Sequence, residues 1–370
     1  MKIAFVSDVV YPWTKGGMEG THYIEMCELA KKNDVYCFCL QFEGMRKRFT
    51  KNGIHYIAVA KAKSKELYTE NGTRSITLAR RFANALPNAI SGYSFDLVYA
   101  NSFPYLHIGR LKAYCRAHGS KLVLDVAEVW DLPRWKAYLG SVKGHAAYIY
   151  AKRALTGADK YIANSSTTAK LMVEIGIPKS SIVVFSPVLK GLKPLNSKRA
   201  HTVLYSGRLI KEKRLDLWID IVAKAHKINN SIKGLIVGTG PEEDTIKHKI
   251  AESGYSFIRL KKPFKSKKGL YRAIASSMAM LNMSEREGLS VITIESAALG
   301  TPPILPSYTP IPEEVKELAL VKGINEIPKL IADIASGSIR YSPDSKKLER
   351  FSSRNVEKVF EGLFHTEYRK

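Results

Sequence analysis

The chain has 370 residues, 45% of them hydrophobic, and carries 58 Lys and Arg against 34 Asp and Glu, a formal net charge of +24. That apolar fraction excludes disordered, collagen-like and coiled-coil chains, and the length exceeds what one hydrophobic core usually supports, so two domains are expected. The longest apolar runs, such as 3–6 and 278–281, fall far short of the roughly 18–20 residues that a membrane-spanning helix needs.

The first residues, MKIAFVSD, end a short apolar run in an acid, too soon for a secretory signal, and so predict a cytoplasmic protein. Short apolar runs predict strands at 3–7, 35–40, 54–59, 97–100, 122–126, 160–163 and 182–185. A second series follows at 202–206, 233–237, 257–260, 279–283 and 302–305, with helices between strands, for example at 22–32, 215–226 and 291–299. The Pro-, Gly- and Lys-rich stretch 186–200 lacks either period and reads as a linker. Strands alternating with amphipathic helices on both sides of a linker imply two doubly wound α/β domains with parallel sheets. The predicted bounds are 1–190 and 201–345, with a terminal helix in 346–370 crossing back to the first domain. Cys27, Cys37, Cys39 and Cys115 show neither Cys-x-x-Cys nor zinc-type His spacing, and are expected to be structural thiols with no metal.

A positive excess of this size suits nucleic acid, an anionic membrane surface or a phosphorylated substrate. The charge divides evenly between the halves, with clusters at 46–51, 61–65, 74–81 and 261–268, and no zinc finger or RNP motif accompanies them, so nucleic acid is not favoured. The stretch 61–90 reads in two ways. It is either an interfacial helix drawn to anionic lipid, or a domain helix that packs Leu78, Phe82 and Leu86 on the sheet and leaves Arg80 and Arg81 in solvent.

In open parallel sheets ligands bind beyond the carboxyl ends of the strands, and four such places stand out. After the first strand, Gly16-Gly17 precedes a helix; it is either a plain turn or a loop whose N–H groups approach an anion. It is not the G-x-G-x-x-G dinucleotide fingerprint. Arg208 and Lys213 flank the loop after the strand at 202–206, where a guanidinium fork and an ammonium suit a diphosphate, although solvated surface charge explains them equally. The glycines of VGTGP (237–241) suggest a tight strand-to-helix turn. In SEREGLSVITIESAALGTPPI (284–304), Glu287 lies in a loop and Glu295 about two turns into the following helix, with the N–H groups of Gly288, Leu289 and Ser290 at the helix start. A carboxylate on so apolar a helix either bonds a ligand hydroxyl or bears an uncompensated desolvation cost.

Taken in order, Gly16-Gly17, GADKYIANSSTTAKLM (157–172), YSGRLIKEKRLD (205–216), VGTGPE (237–242) and the E-x7-E element at 284–304 resemble glycosyltransferase family 4. The resemblance covers nearly the whole chain. It implies the GT-B fold, two facing Rossmann-like domains with an interdomain cleft, and a retaining, metal-independent transfer from a nucleoside-diphosphate sugar, with no cofactor. Carried onto matching positions, it implies that Arg208 and Lys213 hold the donor diphosphate and that Glu295 bonds the donor ribose. Glu287 would contact hydroxyls of the transferred sugar, while the N–H groups of Gly16, Gly17, Gly288, Leu289 and Ser290 bind phosphate. The catalytic set expected is therefore Glu287, Arg208 and Lys213.

Three stretches depart from the family pattern. The loop after the strand at 122–126 has no His, and Asp125, Glu128 or Asp131 would make the polar contact on the acceptor side, with Glu128 and Asp131 favoured. Residues 186–190 (SPVLK) replace the usual junction segment, and Lys261-Lys262-Pro263-Phe264 replaces a glycine near the donor base. The expected partners are a nucleotide-sugar donor, a glycan or lipid-linked acceptor and an anionic membrane surface, with a peripheral position at the inner face of the cell membrane. The alternative from another class is a non-catalytic basic protein that binds anionic lipid or nucleic acid on the same scaffold.

Overall fold

The computed structural model describes every residue except 15, 70–72, 196–198, 286 and 366–370. The chain divides into two compact units, the first comprising 1–69, 73–190 and 352–370, the second chiefly 191–351.

The first unit is an eight-stranded sheet in the order β3-β4-β2-β1-β5-β6-β7-β8. Its strands are β1 (Lys2–Val6), β2 (Asp34–Gln41), β3 (Arg48–Lys51), β4 (Ile54–Lys61), β5 (Leu97–Asn101), β6 (Lys121–Val126), β7 (Lys160–Ala163) and β8 (Ile182–Val184). All pair in parallel except β3. The central strands are buried on both faces, which is why they read as unbroken apolar runs. Alternate residues serve two cores: Ala4, Val6, Phe38 and Leu124 pack on one face with Phe82 and Leu86, and Ile3, Phe5, Cys37 and Tyr99 on the other with Met26 and Leu29. The terminal helix Val356–His365 belongs to this second face, with the Phe360 ring 5.1 Å from that of Tyr99 and tilted 58° to it. The chain re-enters the first unit at Ser352 rather than at 346, because the helix Ser345–Glu349 stays with the second unit.

The edge strand β3 had no counterpart among the predicted strands, since RFTK is polar and largely exposed. Its signal is Asn52-Gly53: both residues have positive φ (54° and 75°), and Lys51 pairs with Ile54, a two-residue hairpin of the twist that antiparallel strands favour. The helix Ile76–Ile90 buries Leu78, Phe82, Leu86 and Ile90 and exposes Arg80 and Arg81, so the interfacial reading of this stretch is overturned: its apolar face is already spent on the core. The helix after β1 spans Gly17–Leu29, five residues earlier than expected at its start. All four cysteines are free thiols.

The second unit is an all-parallel six-stranded sheet, β11-β10-β9-β12-β13-β14. It comprises β9 (Ala200–Ser206), β10 (Lys233–Val237), β11 (Ile258–Lys261), β12 (Ser277–Leu281), β13 (Pro303–Pro306) and β14 (Leu320–Lys322). Trp218, on the helix Leu215–Ile228, is fully buried against β9, β10 and β12 and donates its indole N–H to the Leu281 carbonyl at 3.1 Å. In each unit the strand order reverses beside the first strand, between β1 and β5 and between β9 and β12, which makes the loops following these strands the places where a ligand is bound in such sheets.

Candidate functional site

In the second unit the loops after β9 and β12 clasp one another. The Glu285 N–H donates to the Glu212 carbonyl at 2.8 Å, and the Arg214 guanidinium bridges Asp216 and Glu285. Within this clasp Lys213 Nζ lies 2.6 Å from Glu287 Oε1 and 3.2 Å from Ser284 Oγ. Asn282 Nδ2 donates to the same Glu287 oxygen at 3.3 Å and to Ser290 Oγ at 3.0 Å. The pair is mostly enclosed, with Lys213 and Glu287 side chains 17% and 15% exposed. Among the described residues Glu287 Oε2 makes no hydrogen bond, so one carboxylate oxygen is fixed by the protein and the other is open.

Glu295 repeats the arrangement one helix further on. It is 3% exposed on Val291–Ala298, and its Oε1 accepts from Tyr271 Oη at 2.8 Å and from Lys267 Nζ at 2.9 Å. The choice between a ligand hydroxyl and an uncompensated desolvation cost is thereby corrected, because Lys267 and Tyr271 offset the burial within the chain itself. Its Oε2 makes no hydrogen bond among the described residues.

Both helices that start here follow a non-glycine residue in the left-handed region, Arg214 (φ 47°) before Leu215 and Ser290 (φ 64°) before Val291. A serine in that conformation stores strain of about 1–3 kcal/mol, offset here by the bonds of Ser290 Oγ to Asn282 and to Thr293 Oγ1 at 2.8 Å. Among the described residues the N–H groups of Gly288, Leu289 and Ser290 donate to nothing, and with the helix start they form a concentration of positive partial charge.

Arg208 is exposed in the loop after β9, where its carbonyl receives the Tyr205 hydroxyl at 2.8 Å. The glycines of VGTGP act by close approach: a methyl at Gly238 would fall on the Gly207 carbonyl, and one at Gly240 on the Leu209 backbone. Gly207 N–H donates to the Val237 carbonyl (3.0 Å) and Leu209 N–H to the Thr239 carbonyl (2.9 Å), so this loop shapes the one that carries Arg208.

The remaining expected residues lie in the first unit. Gly16 precedes the helix Gly17–Leu29 in an extended conformation, φ −147°, and the side chain nearest to its missing Cβ is that of Glu19. Asp131 caps the helix Leu132–Leu139 by accepting from the Arg134 N–H at 2.9 Å, a structural use of the acid. Glu128 lies in the loop after β6, half-buried. The organised acid of that region is instead Asp125, at the end of β6, whose Oδ2 meets His22 Nε2 at 2.6 Å. Both residues are buried, and Glu25 and Tyr99 stand beside them. His22, Ser7, Glu19, Tyr99 and Asn101 line a small pocket beyond β1 and β5. Asp8 is paired there with Arg74, while Ser7 Oγ, Asp8 Oδ1 and Glu25 Oε2 are buried without a hydrogen-bond partner.

Burial alone would depress the His22 imidazolium, but the hydrogen bond and charge of Asp125, with Glu25 and Glu19 behind it, raise its pKa from 6.5 to about 9. Burial raises Glu25 from 4.5 to about 8 against the opposing charge of His22. Both groups hold protons more tightly in the folded chain, so their contribution to stability is full below their unfolded pKa values and is lost as pH rises through about 8 and about 9. Denaturation titrations between about pH 6 and 9 are therefore expected to show wild-type stability falling relative to a His22→Gln variant, and a difference that grows with pH would contradict this pairing.

Among known proteins, the family model "Glycosyl transferase 4-like domain" matches residues 27–187 and "Glycosyl transferases group 1" matches 193–358. No curated protein matches the chain in sequence. Similar solved structures include the lipopolysaccharide outer core galactosyltransferase WaaB in its apo form, 18% identical, with 99% of this chain and 100% of that one covered and a TM-score of 0.65. Anabaena HepE in complex with UDP is 16% identical, with 98% and 99% covered and a TM-score of 0.69. A mutant of S. aureus TarM in complex with Fondaparinux, alpha-GlcNAc-glycerol and UDP is 16% identical with a TM-score of 0.57; 80% of this chain is covered, and it spans 59% of that protein's length. At these identities the likeness shows the fold, two Rossmann-like domains of the GT-B type. The chain thus belongs with the glycosyltransferases, its first unit carrying a glycosyl transferase 4-like domain and its second a group 1 glycosyl transferase domain.

Proposed function

We propose that the protein is a retaining, metal-independent glycosyltransferase of family 4 that moves a hexosyl group from a nucleoside-diphosphate sugar to a hydroxyl of a glycan or lipid-linked acceptor. The observation that carries this is Glu287, anchored through one oxygen by Lys213 and Asn282 and open at the other, at the strand-order reversal between β9 and β12. Arg208 and Lys213 supply the positive charge that stabilises the departing diphosphate, which is the work a divalent cation does in other transferases. The unpaired N–H groups of Gly288, Leu289 and Ser290 receive phosphate oxygens. The open oxygen of Glu295 takes a ribose hydroxyl, and that of Glu287 takes hydroxyls of the transferred sugar. The acceptor hydroxyl attacks the anomeric carbon on the face the diphosphate leaves, and its proton passes to the leaving phosphate oxygen, so no protein nucleophile is required. Asp125 with His22, Glu128 and Asp8 with Arg74 are the polar groups of the first unit available to the acceptor side.

The non-catalytic alternative leaves the Glu287 arrangement and the matched transferase domains without a role, and is not favoured. Turnover tests the reading. Proton NMR of the chain with UDP- and GDP-sugars is expected to show donor loss and a product that keeps the anomeric configuration; an inverted product would remove the retaining mechanism, and stable donors would remove the enzyme.

A further inference from the structure

The helix Leu132–Leu139 and the helix Ser141–Leu155 form a hairpin after β6 in the first unit. The second of these helices is apolar on two opposite sides. Gly144, Ala151 and Leu155 are buried on one side, and Gly144 lies so close to the preceding helix that a Cβ would fall on the Trp135 carbonyl. The opposite side carries Val142, Ala146 and Ile149 at i, i+4 and i+7, followed by Arg153 at i+11. Val142 is 84% exposed, Ile149 41% and the adjacent Tyr150 46%.

At 100° per residue Lys143 and Tyr150 fall along one edge of this stripe, and His145 and Lys152 along the other. No Asp or Glu occurs between Asp131 and Asp159. Among the described residues Lys136, Lys143, Lys152 and Arg153 enter no ion pair. Lys112 Nζ adds a further cation at the helix end by bonding the Ala154 carbonyl at 2.8 Å.

We propose that the outer face of the helix Ser141–Leu155 docks on a bilayer that contains anionic phospholipid, with Val142, Ile149 and Tyr150 entering the headgroup boundary and Lys143, Lys152 and Arg153 contacting lipid phosphates. An apolar stripe edged on both sides by cations with long aliphatic stems is the composition of an interfacial helix, whose acyl-facing side chains and headgroup-facing charges are engaged together. An acidic protein partner would need a pocket or groove to seat its own anchoring side chains, whereas the surface here is a single helical ridge of one charge sign. No described helix is long and apolar enough to cross a membrane, so the contact lies along the surface. The net charge of +24 supplies the long-range attraction. The proposal stands apart from the donor site of the second unit.

Co-sedimentation of the full chain with vesicles of phosphatidylcholine, alone or mixed with phosphatidylglycerol, tests it. Binding is expected to the mixed vesicles only and to weaken with salt, with about a fivefold loss per cation in Lys143→Gln, Lys152→Gln and Arg153→Gln. The double variant Val142→Glu/Ile149→Glu is expected to lose at least tenfold while melting as the wild type does, since both positions are exposed. Emission from Tyr150→Trp should shift to the blue on adding mixed vesicles. Nucleotide binding should be unchanged in all these variants, which separates failure here from failure of the donor reading. The proposal is overturned by absence of binding to mixed vesicles, by binding that these substitutions leave intact, or by light scattering that shows a dimer disrupted by Val142→Glu in place of vesicle binding.

Discussion

Glu287→Ala is expected to lower donor turnover at least tenfold, and on the order of a hundredfold where the carboxylate meets the reacting sugar in the transition state, with the fold intact. The carboxylate is held at 2.6 Å by Lys213 and at 3.3 Å by Asn282, so its open oxygen is presented in one place without reorganisation. In the proposed complex, truncation removes a negative group from beside a sugar that gains positive character as the diphosphate leaves. The structural cost is on the order of 2 kcal/mol, because the pair is mostly enclosed and Lys213 keeps Ser284 Oγ as a partner. Glu287→Gln keeps an oxygen for Lys213 and Asn282 but not the charge, so a rate close to that of the alanine variant would assign the effect to electrostatics. Initial rates with thermal melts of each variant check this, and an unchanged rate in Glu287→Ala would remove Glu287 from the site.

Lys213→Ala is expected to act on both donor affinity and turnover, with a loss of a hundredfold or more in kcat/KM. Its ammonium pairs with Glu287, and in the proposed donor complex it carries positive charge to the diphosphate. Its removal leaves the Glu287 carboxylate, 15% exposed, with only Asn282 to bond its anchored oxygen, and should cost on the order of 2 kcal/mol of stability in the second unit. Arginine at this position would restore charge but not reach: the planar fork is bulkier than an ammonium seated between Ser284 and Glu287, so Lys213→Arg should recover binding more than turnover. Full recovery of both would show that the position needs charge alone.

Much of the architecture was legible because parallel strands buried on both faces spell themselves as apolar runs. The runs at 3–7, 97–100 and 202–206 lie on β1, β5 and β9. What escaped was the edges. Arg48–Lys51 and Leu320–Lys322 are short, partly polar strands whose pairing is decided by neighbours, although Asn52-Gly53 marked the first of them. In the site, the spacing of Glu287 and Glu295 was visible, but their partners were not. Lys213 lies 74 residues before Glu287 in sequence, and Lys267 lies 28 before Glu295, separations that no local pattern encodes. Lys267 belongs to the basic cluster at 261–268, in which nothing local singles it out. In the first unit, the sequence offers Asp125, Glu128 and Asp131 and favours the last two; what it does not show is that Asp125, at the end of β6, meets His22 on the helix that follows β1, 103 residues away. The stretch 61–90 reads in sequence as an interfacial helix or as a domain helix; the structure gives the domain helix, with its apolar face on the core, while an exposed apolar face lies on Ser141–Leu155.

In the proposed complex the second unit holds a nucleoside diphosphate between Arg208, Lys213 and the N–H groups of Gly288 to Ser290. Thermal melting of the wild type and of Lys213→Ala against a panel of nucleoside diphosphates measures this directly, because a ligand that binds only the folded chain raises its stability with occupancy. At least one base is expected to raise the wild-type melting temperature in proportion to its concentration, with the shift largely lost in Lys213→Ala. No shift with any nucleotide, or the same shift in the variant, would remove the diphosphate from this site.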